Sequence, residues 1–276
     1  MSPANDRAEH WTEERRFLFD LKGWVCFPSV LTGDEVDACK QHIDRIYDDP
    51  DSIDPVFRSR PGLSGPLQDL LDHPVLAEVL SDVIAPDVED KAHGFRCESN
   101  FTYRLRANAD RQFVRAHTGT KPAPGPHEYR YVDGGIYSGQ TRAVWELNPV
   151  GENGGVGTRF LSGSHKRNLA IPAAISDADS PYFETYSCPP GSLLVFCERV
   201  LHLGSLWLND AYPRMSVFNC YNHYNVQVHK MNITHEMVMA MPEKRRTLFR
   251  GAWEWWNRGA EGRLNNSYYD EDNRAL

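Results

Sequence analysis

Eleven histidines are scattered through this chain of 276 residues. Taken alone, a histidine is more often a hydrogen-bonded polar residue than a ligand, so company decides. His202 has that company. The Pro190–Gly191 turn launches a short apolar run, Leu193–Phe196, and His202 follows it. Arg214 comes next, at the start of another apolar run, with Ser216 two positions on. Arginine offers a planar fork that matches a carboxylate, and the serine hydroxyl adds a further donor. The spacing predicts a metal-ligating imidazole within reach of an anion clamp. A surface role for Arg214 is disfavoured by Met215, Val217 and Phe218 around it.

Upstream, NPVGENGGVGTRFLSGSHKRN joins a Gly-rich turn to a Gly-Ser-His-Lys ending. With the entry segment KGWVCFPSVL, the run PPGSLLVF, His202 and Arg214, it forms an ordered set over Phe17 to Asn222. That set resembles the phytanoyl-CoA dioxygenase family of iron(II)/2-oxoglutarate enzymes. The resemblance implies a double-stranded β-helix (a cupin-like jelly roll), His202 as an iron ligand, and Arg214 with Ser216 on the far carboxylate of 2-oxoglutarate. It makes His165 a structural loop residue. Trp145, in AVWELNP, is read as a cap on the cosubstrate pocket or a plain core residue.

The same resemblance calls for a second histidine followed two residues later by a carboxylate. Iron(II) in such sites takes two imidazoles and one carboxylate on one face, leaving three positions for cosubstrate and oxygen. The well-placed histidine is His117, but Gly119 stands where the carboxylate belongs. Three explanations stay open. Gly119 vacates a coordination position for a halide, the His-x-Gly pattern that iron/2-oxoglutarate halogenases resemble, which implies chlorination of an sp3 carbon with chloride and O2 as co-reactants. Alternatively, Glu128, Asp133 or Glu198 reaches the metal and the enzyme is a hydroxylase. Or the site is degenerate or belongs to an uncharacterised branch, the extreme being a non-catalytic binding protein on this fold.

The segment after His117, GTKPAPGPHEYRYVDGGIYSGQ, is too rich in Pro and Gly for a helix and is expected to form a loop over the site mouth. It carries Lys121, His127, Tyr129, Arg130 and Tyr131, and the run before it adds Arg104, Arg106 and Arg115. Rings and cations together suit a planar anionic small molecule; the plainer reading is a solvated strand face. Similarity to purine-nucleotide halogenases of this size implies the sugar of a deoxyadenosine-type monophosphate as substrate, with a free amino acid or an alkaloid-like natural product as the alternatives.

The elements that must position these residues are legible in outline. Val36, Cys39, Ile43 and Ile46 mark an amphipathic helix capped at Thr32 or Asp34. Helical segments are expected at Pro66–Leu71 and Pro74–Ile84, after a strand at Trp24–Phe27. From about Arg96 the chain turns to short aromatic and β-branched runs, YFETYSC among them, which argues for an antiparallel barrel. One domain over 1–276 is expected: a helical lead-in (12–90), a β-helix core (95–228) and a C-terminal segment (229–276) with Trp253, Trp255 and Trp256. With 30 Lys and Arg against 38 Asp and Glu, the chain is a poor candidate for binding a DNA or RNA duplex. The absence of a signal-like or membrane-length apolar run points to the cytoplasm, with six unpaired thiols.

Overall fold

The computed structural model describes residues 10–107, 115–119, 128–229 and 231–251. Helix α1 (Glu13–Lys22) starts on Thr12, whose side chain accepts from the Arg15 amide, and stops at Gly23, whose φ of 84° is the left-handed cap that glycine supplies cheaply. Strand β1 (Trp24–Phe27) follows. Helix α2 (Gly33–Asp48) opens on a reciprocal capping box between Thr32 and Glu35, so Thr32 and not Asp34 is the cap, a device worth about 1 kcal/mol. It buries Val36, Cys39 and Ile43, the stripe the periodicity marks. The expected helical pair is a 3-10 stretch, Gly65–Leu70, followed by α3 (Pro74–Val83).

Eight more strands complete the fold: β2 (Phe95–Leu105), β3 (Tyr129–Val132), β4 (Gly135–Ser138), β5 (Gln140–Glu146), β6 (Arg159–Leu161), β7 (Ser192–Cys197), β8 (Leu201–Leu203) and β9 (Arg214–His223). The main sheet is antiparallel, in the order β1-β7-β5-β9-β2. The facing sheet is small. β6 pairs with β8, and isolated bridges widen it on both sides, His117 to His202 and Glu184 to Phe160. Two sheets closed over an apolar interior of Trp24, Val144, Phe160, Phe196 and Trp207 make a double-stranded β-helix. The outer face of the main sheet packs Trp145, Val195, Val217 and Tyr221 against the helices.

Alternation along each strand decides which side chains meet the cavity. On β9, Arg214 and Phe218 face inward, while Met215 and Val217 join the outer core. Two expectations are corrected. YFETYSC forms no strand and contributes only the bridging residues Glu184 and Cys188. The segment expected as a loop is in part a hairpin, β3–β4, turned at Asp133 and Gly134 with φ of 51° and 83°. Its residues 120–127 lie outside the described residues, as do Trp253, Trp255 and Trp256. The six cysteines are free, five buried and Cys26 half-buried. Among the described residues, no helix is long and apolar enough to cross a membrane.

Candidate metal centre and its cavity

His117 and His202 are brought together by the backbone. Each amide donates to the other's carbonyl at 2.9 Å, a two-residue antiparallel bridge that sets the ring centroids 4.3 Å apart. The two rings are anchored alike. Nδ1 of His117 lies 2.9 Å from the Arg115 carbonyl, and Nδ1 of His202 lies 2.9 Å from the Val200 carbonyl. A carbonyl can only accept, so both Nδ1 atoms carry the proton and both lone pairs sit on Nε2. That is the tautomer of a metal-ligating imidazole whose other nitrogen is held by a backbone oxygen. Burial depresses the His202 pKa to about 4, which keeps the ring neutral and able to ligate at neutral pH.

Gly119 does not border empty space. Its amide donates to the Glu198 carbonyl at 2.6 Å. A Cβ built on it would stand 2.7 Å from the Cβ of Glu198 and 2.8 Å from Oε1 of Gln140. Glu198 fills the place that a side chain at 119 would take. Its Oε2 lies 3.8 Å from Nε2 of His202. Donors held about 2.1 Å from one dication stand at most about 4.2 Å apart, so these two atoms are close enough to share an ion. The carboxylate also has another partner: Arg142 donates from Nε to its Oε1. Burial works against the charge on Glu198, but Arg142 outweighs it and holds the pKa below the ordinary carboxylate value. Among the described residues, no three His, Cys, Asp or Glu side chains stand ready around an ion. The site is a histidine pair with a carboxylate turned towards an arginine.

These groups line one cavity of about 350 Å³ with Arg214. Arg214 bonds Glu146 through Nε and Nη2, and Nη2 also reaches the Tyr186 hydroxyl at 3.3 Å. Burial opposes the guanidinium charge, and Glu146 more than restores it. Ser216 is fully buried with no partner for its Oγ. An orphaned buried hydroxyl is costly, and a ligand carboxylate held beside Arg214 would relieve it. The residues therefore fit an iron(II) ion at the histidine pair and a dicarboxylate reaching towards Arg214.

The other residues singled out from the sequence fall elsewhere. Trp145 is corrected as a cosubstrate cap: alternation on β5 turns it to the helices, where Nε1 donates to the Leu70 carbonyl at 3.2 Å. Arg104 faces α2, where it bonds Asp44 at 2.8 Å and also Asp48, and it does not line the cavity. The Tyr129 hydroxyl donates to Asp20 at 2.6 Å, and Tyr131 is 67% exposed on the hairpin. Neither lines the cavity, nor do Arg106 and Arg115, whose side chains are exposed. Asp133 sits at the hairpin turn and Glu128 just precedes β3; of the three carboxylates considered for the metal, Glu198 alone lines the cavity with the histidines. Lys121 and His127 lie outside the described residues. His165 is buried with Nε2 on the Asp20 carbonyl at 3.0 Å. The sequence reading missed Arg142, Glu146, Phe101, Tyr103 and Tyr186. The available signal was QTRAVWE, where charges at 142 and 146 share the inner face of an otherwise buried strand.

No protein-family model matches the chain, and no curated protein matches its sequence. Solved structures do match. HygX from Streptomyces hygroscopicus, with nickel and 2-oxoglutarate bound, aligns with a TM-score of 0.61 at 19% identity, over 77% of this chain and 87% of HygX. The non-heme alpha ketoglutarate dependent epimerase SnoN from nogalamycin biosynthesis aligns at 0.52 and 16%, over 77% and 80%. The nickel complex of the non-heme monooxygenase ThoJ aligns at 0.52 and 15%, over 75% and 76%. At such identities the likeness establishes the double-stranded β-helix that this chain shares with non-heme enzymes.

Proposed function

We propose that this protein is an iron(II)- and 2-oxoglutarate-dependent oxidoreductase acting on an sp3 carbon of a small molecule, and that the product is chlorinated. The observation that carries the class is the histidine pair: two imidazoles with fixed tautomers open on a cavity that also holds the buried Arg214, two residues from the orphaned hydroxyl of Ser216 on the same strand. When bound, iron(II) with 2-oxoglutarate and O2 supplies the oxidising power, and chlorination balances as substrate, chloride, proton, 2-oxoglutarate and O2 giving chlorinated product, succinate, CO2 and water. His117 and His202 hold the ion, and Arg214 with Ser216 orients the cosubstrate. Structural relatives that bind hygromycin B or belong to nogalamycin biosynthesis support a role in natural-product biosynthesis.

Chlorination is favoured because Gly119 offers the metal no side chain and the neighbouring carboxylate is engaged by Arg142. The dication's charge is then met by outside anions. A second reading, hydroxylation with Glu198 as the third ligand, has its own support in the 3.8 Å approach to His202. Deoxyadenosine monophosphate is the first substrate to assay, although Arg104 and Tyr129 are bonded elsewhere and give it no support.

The test is turnover under air with and without chloride. Succinate together with chlorinated product upholds the proposal. Succinate with a hydroxylated product at an unchanged rate without chloride selects the second reading. No succinate under any condition would leave a binding protein on this fold.

A further inference from the structure

One wall of the cavity is aromatic. On the inner face of β2, at the edge of the main sheet, stand Phe101 and Tyr103; Phe218 of β9 lies directly opposite Phe101. The two phenylalanines stack on each other, with centroids 4.8 Å apart and planes 11° from parallel. Tyr103 meets both edge-on, at 5.2 Å in each case. The stacked pair consumes its own shared face, and Arg142 and Arg214 lie over Phe101 and Phe218 at 5.4 and 5.5 Å. Tyr103 differs. Held at 61° and 71° to the planes of its two neighbours, it stays 43% exposed although it lines the same cavity as His117 and His202.

Leaving a large ring that open and that firmly braced gains little for folding. Aromatic rings prefer offset stacking or edge-to-face contact, and Tyr103 has used only its edge contacts. A platform of this kind suits a flat π system: a planar ring is bound through its face whatever its hydrogen-bond pattern, and stacking on an aromatic side chain typically changes affinity by tenfold or more. We infer that Tyr103, braced by Phe101 and Phe218, is a stacking platform that selects substrates carrying a planar aromatic or heteroaromatic ring and sets their saturated part towards the histidine pair. This rests on the reading of the cavity as the substrate site. One structural neighbour was solved with hygromycin B bound, which supplies the comparison ligand.

The experiment is calorimetric titration of the full chain, both metal-free and loaded anaerobically with iron(II) and 2-oxoglutarate. Three planar probes (adenosine, L-tryptophan and quinoline) are compared with hygromycin B. At least one planar probe should bind, and hygromycin B should not. Tyr103→Leu should weaken the planar probe at least tenfold, and Tyr103→Phe should retain it within about threefold, because the ring face and not the hydroxyl is in use. Circular dichroism confirms that each variant is folded. The inference is overturned if no planar probe binds, if hygromycin B binds as well as they do, or if Tyr103→Leu leaves affinity unchanged. The visible band of the iron–2-oxoglutarate complex, read on the same samples, reports separately on the cofactor assignment. Planar binding without the band overturns only that assignment, and the band without planar binding overturns only the platform.

Discussion

The amide of Gly119 is hydrogen-bonded to the carbonyl of Glu198, and the Glu198 side chain lies where a Cβ at position 119 would point. The missing side chain at 119 and the buried carboxylate at 198 are thus two halves of one arrangement. Packing alone already calls for glycine there.

Gly119→Asp is therefore not a simple restoration of a third ligand. It forces a carboxylate against Glu198, and overpacking of this kind costs about 1–3 kcal/mol. Chlorination should be abolished, and thermal unfolding should show a lowered Tm. Gly119→Ala should lower the Tm as well, since the Cβ already collides.

Arg142 and Glu198 are a buried pair, with side chains 15% and 5% exposed. Removing one partner of a buried pair typically costs about 3–5 kcal/mol by stranding the other. Glu198→Ala and Arg142→Leu should each be strongly destabilised in urea melts, and the combination Arg142→Leu with Glu198→Leu should recover part of the loss. Metal titration separates the two readings: if Glu198 is a ligand, Glu198→Gln weakens iron(II) binding at least tenfold, and if a halide takes that position, it changes affinity little.

Much of this fold was legible in the chain. Thr32 with Glu35, the stripe Val36–Cys39–Ile43, and the Pro190–Gly191 turn before β7 each declare an element through local chemistry. His202 and Arg214 stood out as candidates because they fall on consecutive strands, β8 and β9, and the structure sets both on one cavity. What was not legible depended on pairing between distant strands. Which neighbour Glu198 faces is fixed by the register that sets Arg142 opposite Phe196 and Cys220. Arg104 and Tyr129 read as substrate residues by type, and only packing shows that Asp44, Asp48 and Asp20 have claimed them.

Trp145 illustrates the same limit and gives a clean control. It is fully buried against the helices, on the opposite face of β5 from the cavity. Trp145→Ala should cost about 3–5 kcal/mol in a denaturant melt. Trp145→Phe should be milder and leave the affinity for 2-oxoglutarate within about twofold.

His165 supplies a pH prediction. Burial lowers its pKa from 6.5 to about 4, so the unfolded chain binds this proton more readily than the folded one. Its contribution to stability is fully present above pH 6.5 and is lost as the pH falls towards 4. Urea midpoints for the protein should decline through that window, and those for His165→Gln should decline less steeply.

The most direct test of the central claim is anaerobic addition of iron(II) and 2-oxoglutarate, with absorption recorded before and after chloride. A visible charge-transfer band, absent from His117→Ala and His202→Ala and shifted by chloride, is the predicted result. A protein that gives no such band, or gives it unchanged when both histidines are removed, would contradict the account.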